Sequence, residues 1–248
     1  MPTPVRFPFG VSTNDVTQPL GNFGLPDPTK WYVFFDDFNS WVTDTSAAGK
    51  YTITTVEAGG GSATETLADV AGGVLLLTND DADNDSDFLQ KIGESVLMVT
   101  GKKTFFKARF AVSDATQSDW IMGLQITDTT PLAAGGDGAT DGVFFQKDDG
   151  DTNIDFYVMK NTTTGQSTST AIATAAAAAA YMTVAFYFDG KRFIHAYVDD
   201  VQKARVDLTT TPADFIPDTE ITVSFGIQNG EAVAKTMSID YVFVAQER

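Results

Sequence analysis

Between Tyr181 and Val206 the chain reads YMTVAFYFDGKRFIHAYVDDVQKARV. Met182, Val184, Phe186 and Phe188 fall on one parity and Thr183, Ala185, Tyr187 and Asp189 on the other, the period of two that gives a strand a greasy and a wetter face. Asp189-Gly190-Lys191 follows, and Asp-Gly is a strong hairpin signal because glycine takes positive φ without a Cβ clash. A second strand spans Arg192 to Val198, Asp199-Asp200 turns the chain again, and Val201 to Val206 returns. Three consecutive strands therefore form an antiparallel meander.

The rest of the chain repeats that texture. Trp31 opens an aromatic, β-branched run (WYVFFDDFNSW). Val74 to Leu77 is a short apolar run of the kind found in strands covered on both faces. Val96 to Val99, Thr104 to Val112, Trp120 to Thr127, Gly142 to Lys147, Ile154 to Met159, Glu220 to Gln228 and Met237 to Ala245 each read as strands, separated by Gly, Asp and Thr clusters. Glu57 to Glu65, with its three glycines, and Leu132 to Asp141 read as loops. Asn161 to Ala180 reads as a strand with a loop, a brief helix over Ala175 to Ala180 being the alternative. Strands at close intervals without helical periodicity predict an all-β, antiparallel sandwich or barrel, and 248 residues suit one undivided sandwich over residues 31–248.

Residues 1–30 differ in kind. Six of the nine prolines lie here, and proline removes a backbone donor and holds its predecessor extended. The segment carries few charges but several large apolar side chains, so it reads as an extended docking arm whose anchors are Arg6, Phe7, Phe9, Leu20, Phe23 and Leu25. Each well-buried Phe contributes about 1.5–3 kcal/mol, whether against the chain's own body or another chain.

Charge and composition exclude several chemistries. A net charge of −17 and a pI near 4.2 repel phosphate backbones, so no nucleic-acid partner is expected. Cysteine is absent, removing disulfides, thiolate nucleophiles and Cys-ligated zinc. No run approaches the ~18 apolar residues of a membrane span, and no secretory signal pattern opens the sequence. His195, the single histidine, sits mid-strand and reads as structural, with no G-x-S-x-G elbow and no phosphate-cradling glycine loop elsewhere. Asp81, Asp83, Asp85 and Asp87 have the alternate spacing of a calcium loop. The sixth position counted from Asp83 is Phe88 where such a loop needs glycine, so a solvated acidic loop is expected, with no metal and no cofactor. No strand shows the paired carboxylates that glycoside hydrolysis needs.

The body resembles the laminin-G-like and concanavalin A-like jelly roll. The resemblance is carried by the Tyr187-Phe188-Asp189-Gly190 turn, by Ile194-His195-Ala196-Tyr197-Val198-Asp199-Asp200, and by the closing Ile239-Asp240-Tyr241-Val242-Phe243-Val244. It implies a jelly-roll β-sandwich and leaves function open, because the fold hosts lectins, glycosidases and structural modules. An apolar, proline-rich arm ahead of such a body also resembles tailed-phage capsid decoration (cement) proteins. That resemblance implies a non-enzymatic virion protein on the outer capsid surface, made in the host cytoplasm, binding the major capsid protein as a homotrimer. The alternative is a lectin-like carbohydrate-binding module, with calcium as an optional ligand and the loops Leu132 to Asp141 and Asn161 to Gln166 as contact segments.

Overall fold

The computed structural model describes residues 29–42, 49–132, 139–161, 165–208 and 216–248, with the backbone alone at 165–167. The arm anchors Arg6, Phe7, Phe9, Leu20, Phe23 and Leu25 lie outside these residues. Among the described residues every strand pairing is antiparallel and no helix occurs, as the sandwich expectation requires.

Among the described residues, fifteen strands form two sheets. The eight-stranded sheet runs β13 (Val201–Asp207), β12 (Phe193–Val198), β11 (Met182–Phe188), β6 (Thr104–Val112), β15 (Thr236–Glu247), β4 (Leu75–Thr78) and β3 (Thr64–Leu67), with β1 (Trp31–Asp36) also paired to β15. The seven-stranded sheet runs β10 (Gly165–Thr174), β9 (Asn153–Lys160), β8 (Gly142–Lys147), β7 (Ser118–Gln125), β14 (Thr222–Asn229), β5 (Ser86–Lys91) and β2 (Tyr51–Val56). The meander read from Tyr181 to Val206 is β11, β12 and β13, with Gly190 at φ 75° and Asp199 and Asp200 also at positive φ. The Asp189 carboxylate accepts from the N–H groups of Lys191, Arg192 and Phe193, which fixes the first turn.

One parity of each sheet fills the core. Phe106 and Phe110 of β6 and Val184, Phe186 and Phe188 of β11 meet Trp120 of β7, Phe145 of β8, Phe156 of β9 and Phe225 of β14. Phe110 meets Trp120 edge to face at 4.9 Å, and Phe106 stacks on Phe186 at 5.5 Å. In β15 the register shifts between Ile239 and Tyr241. This bulge keeps Met237 and Ile239 in the core before it and Val242 and Val244 after it, and Asp240 pairs with Arg109.

Several strand readings need correction. Val96 to Val99 makes only a single bridge, Val96 to Ile221. Leu76 is half-buried while Leu75 and Leu77 are fully buried, so β4 is covered on one face. Ala175 to Ala180 forms no helix: Ala179 has φ 59° and the Ala180 N–H closes a turn on the Ala177 carbonyl. Strands β2, β3 and β5 arise where loops, or no element, had been read. β5 turns buried Asp87 inward, and a carboxyl group on the inward face hides the hydrophobic alternation that marks the other strands.

Candidate functional site

Away from the core, the seven-stranded sheet presents Phe88 and Gln90 of β5, Ser224, Gly226 and Gln228 of β14, Asp119, Ile121 and Gly123 of β7, and Phe144 and Gln146 of β8. Two glycines sit opposite rings in this face: Gly226 pairs with Phe88 and Gly123 with Phe144. A Cβ on Gly226 would stand 2.3 Å from Phe88 Cδ1, and one on Gly123 would stand 2.5 Å from Phe144 Cα. Only glycine lets these rings lie across the neighbouring strand. Phe144 stacks on Tyr157 of β9 at 5.2 Å, and Phe88 packs with Ile121 and Leu132.

The face carries a groove of about 430 Å³ beside β2, β5 and β14, within the roughly 300–1,000 Å³ of small-molecule sites. Phe88 forms its apolar floor, Ser86, Asn84 and Gln228 its polar end, Val56 and Ala58 one wall, and Thr129 to Leu132 the other. Gln90 holds the second wall in place. Its Oε1 accepts from Asp128 N–H at 2.8 Å, while its Nε2 donates to the Ile126 carbonyl at 3.0 Å and to Ser224 Oγ at 2.8 Å. At the polar end, Gln228 Nε2 donates to the carbonyl of Asn84, a residue at φ 67°.

Next to Gln228 in register stands Asp119. Burial pushes its carboxyl up to about 6; a hydrogen bond from Asp149 N–H opposes the rise, and the charges of Asp149 and Asp148 add to it. Asp148 accepts from Gln146 Nε2 at 2.7 Å. Carboxylates separated by about thirty positions in sequence thus meet at the end of the outer face, an arrangement no local motif announces.

The acidic loop read from sequence divides in two. Asp81 and Asp83 are exposed, whereas Asp85 and Asp87 are buried at 1% and 0% exposure. Burial and the neighbouring Glu65 charge raise the Asp87 carboxyl to about 8, and burial raises Glu65. The loop is therefore not wholly solvated. His195 stacks between Tyr187 and Tyr197, and its Nδ1 lies 3.2 Å from Gln202 Oε1, a hydrogen-bonded strand residue on the other sheet. Within the loop Leu132 to Asp141, Leu132 is buried against Phe88. The ring in the groove comes from a strand, not from that loop.

No family model matches the sequence, and no curated protein matches it by sequence. Solved structures do match. An endo-1,3-β-glucanase from Streptomyces sioyaensis aligns over 90% of this chain and 98% of its own, at 14% identity and a TM-score of 0.62. An endo-β-1,4-glucuronan lyase from Trichoderma reesei aligns over 85% and 94%, at 12% identity and TM-score 0.53. The Emp46p carbohydrate recognition domain, in a metal-free form, aligns over 84% and 94%, at 9% identity and TM-score 0.53. The fold is the concanavalin A-like jelly roll.

The expectation of a non-enzymatic capsid decoration protein is overturned by these likenesses. Structures that share the jelly roll over most of both chains bear the names of endo-glucanases, a glucuronan lyase and a carbohydrate recognition domain. The physical reason is plain. A sandwich assembles its site from strands far apart in sequence, so the missing compact motif did not exclude chemistry, and the proline-rich arm spoke only of a surface to cover.

Proposed function

We propose that this chain is a carbohydrate-binding jelly roll that holds a neutral glycan segment in the groove over Phe88. The observation that carries the reading is the groove itself: an apolar floor of Val56, Leu132 and the nearly buried Phe88, flanked by the amides of Asn84 and Gln228 and by the hydroxyls of Ser86, Thr129 and Thr130. Sugar rings offer an apolar C–H face and a rim of hydroxyls, which call for an apolar floor below and amide or hydroxyl partners at the sides. The net charge of −17 disfavours a polyanionic chain such as a glucuronan and favours a neutral one such as a β-glucan.

Isothermal titration with β-1,3- and β-1,4-linked gluco-oligosaccharides should show saturable binding. F88A should weaken it about tenfold or more, as loss of a central aromatic contact does. Absence of binding to every neutral oligosaccharide, or full retention by F88A, would reject the site.

A second reading, glycan cleavage, is favoured by one observation: Asp119, raised to about 6, stands beside the charges of Asp148 and Asp149. Glycoside hydrolysis uses one carboxyl as proton donor and another as acceptor or nucleophile, and a carboxyl raised by burial suits the donor role. Release of reducing ends by the wild type and its loss in D119N would support that reading. Binding without release by the wild type would restrict the site to recognition.

A further inference from the structure

Past the groove, β2 and β5 continue into segments whose side chains turn between the two sheets. The register places Val56 beside Ser86 and Thr55 beside Asp87, so the next pair along is Glu57 and Asp85. Asp80, following β4, joins them: the carboxylate oxygens of Glu57, Asp80 and Asp85 lie within 4.8 Å of one another. Asp87 and Glu65 adjoin this group, Asp87 feeling the charges of both Glu65 and Glu57.

Shielded oxygens without donors point to a ligand. Asp87, fully buried, is engaged by Glu65, but the shielded Glu57 Oε2 and the Oδ1 of buried Asn79 have no hydrogen-bond partner. The donors nearby are spent on other lone pairs. Ala58 and Ala82 N–H groups bind Asp85 Oδ1 and Oδ2 at 2.6 and 2.9 Å, Ala63 N–H binds Glu57 Oε1 at 2.6 Å, and Thr55 Oγ1 reaches Asp87 Oδ1 at 3.3 Å. Among the described residues, no lysine or arginine forms an ion pair with any of the five carboxylates. Carboxyl groups gathered without a cationic side chain, beside shielded oxygens that no donor reaches, leave a cation as the compensating partner.

We infer that Glu57, Asp80 and Asp85 bind a calcium ion at the seam between the two sheets. The donors are all hard oxygens, without the nitrogen or sulfur that zinc or copper would select. Carboxylate oxygens that all lie within 4.8 Å of one another fit around a calcium ion, which takes several carboxylates at about 2.3–2.6 Å, whereas magnesium keeps several of its waters and takes one or two carboxylates. Asp85 supplies the buried ligand, already held by two backbone N–H groups. Glu57 and Asp80, both half-buried, leave a path to solvent. The glycine-rich loop closes over Asp80, where a Cβ on Gly61 would stand 1.4 Å from Asp80 Oδ2. The ion would tie β2, the end of β4 and the start of β5 together.

The test uses the full chain, stripped with chelator and dialysed, then titrated with calcium chloride by calorimetry and followed by thermal unfolding. The wild type should bind one calcium ion per chain and unfold at higher temperature when loaded. D80N and E57Q should each lose about tenfold or more in affinity, at least what outer-shell changes cost a metal site, with apo unfolding temperatures near that of the wild type. G61A, which must displace the Asp80 carboxylate, should weaken binding likewise. The double variant D81N/D83N removes two exposed acids of the same loop and should bind as the wild type does. Four outcomes would each overturn the assignment: no saturable binding at millimolar calcium, D80N binding like the wild type, D81N/D83N losing as much as D80N, or magnesium binding equally well.

Discussion

Asp119 offers a perturbation whose size follows from the structure. Its carboxyl rises from the ordinary 3.8 to about 6, chiefly through burial. Between those two values the unfolded chain has released the proton that the folded chain retains, so stability falls as pH rises. The slope is about 1.4 kcal/mol per pH unit while the difference lasts, and two units cap the loss at roughly 3 kcal/mol. The side-chain amide introduced by D119N keeps an oxygen for the Asp149 N–H but carries no charge. Near pH 4 variant and wild type should therefore match, and by pH 7 the variant should be more stable by about 1–3 kcal/mol. Groups held low, such as Asp114 at about 2, act in the opposite sense but below this window. Asp87 and Glu65 titrate in both proteins and cancel in the difference. Urea unfolding of both proteins at several pH values from 4 to 7 measures that difference directly. A constant offset between them, independent of pH, would refute the reasoning.

Two further substitutions, with a third as control, probe the outer face. G123A should destabilise by about 1–3 kcal/mol or more, because its Cβ meets Phe144 backbone at 2.5 Å, whereas G60A, with nothing within 4 Å, should leave the unfolding midpoint unchanged. Q90A removes the side chain that holds Asp128 and Ile126; it should cost about 1–3 kcal/mol in urea unfolding and weaken oligosaccharide binding in calorimetry by loosening the Thr129 to Leu132 wall.

The sequence made the meander legible because Met182 to Phe188 alternates cleanly and Asp189-Gly190 fixes the turn within three residues. β6 and β8 emerged with the same bounds for the same reason. β5 stayed hidden because its inward positions include a carboxylate, Asp87, and inward acids reverse the pattern that alternation seeks. β2 (YTITTV) was obscured by its threonines and the glycines that follow. The groove was illegible for another reason. Its floor, Phe88, entered the sequence reading only as the wrong residue for a calcium loop, and its walls come from four separate stretches that only strand pairing brings together. Likewise the alternate aspartates suggested one local loop, whereas the structure sets Asp85 beside Glu57 and Asp80 and leaves Asp81 and Asp83 outside.

β15 joins what would otherwise be three separate pieces: β6 and the meander along one edge, and the β3–β4 pair and β1 along the other. Before Thr236–Glu247 docks, the strands on both of its sides keep an open edge. Closure of this sheet thus waits on β15, the strand that also brings Trp31 opposite Glu247.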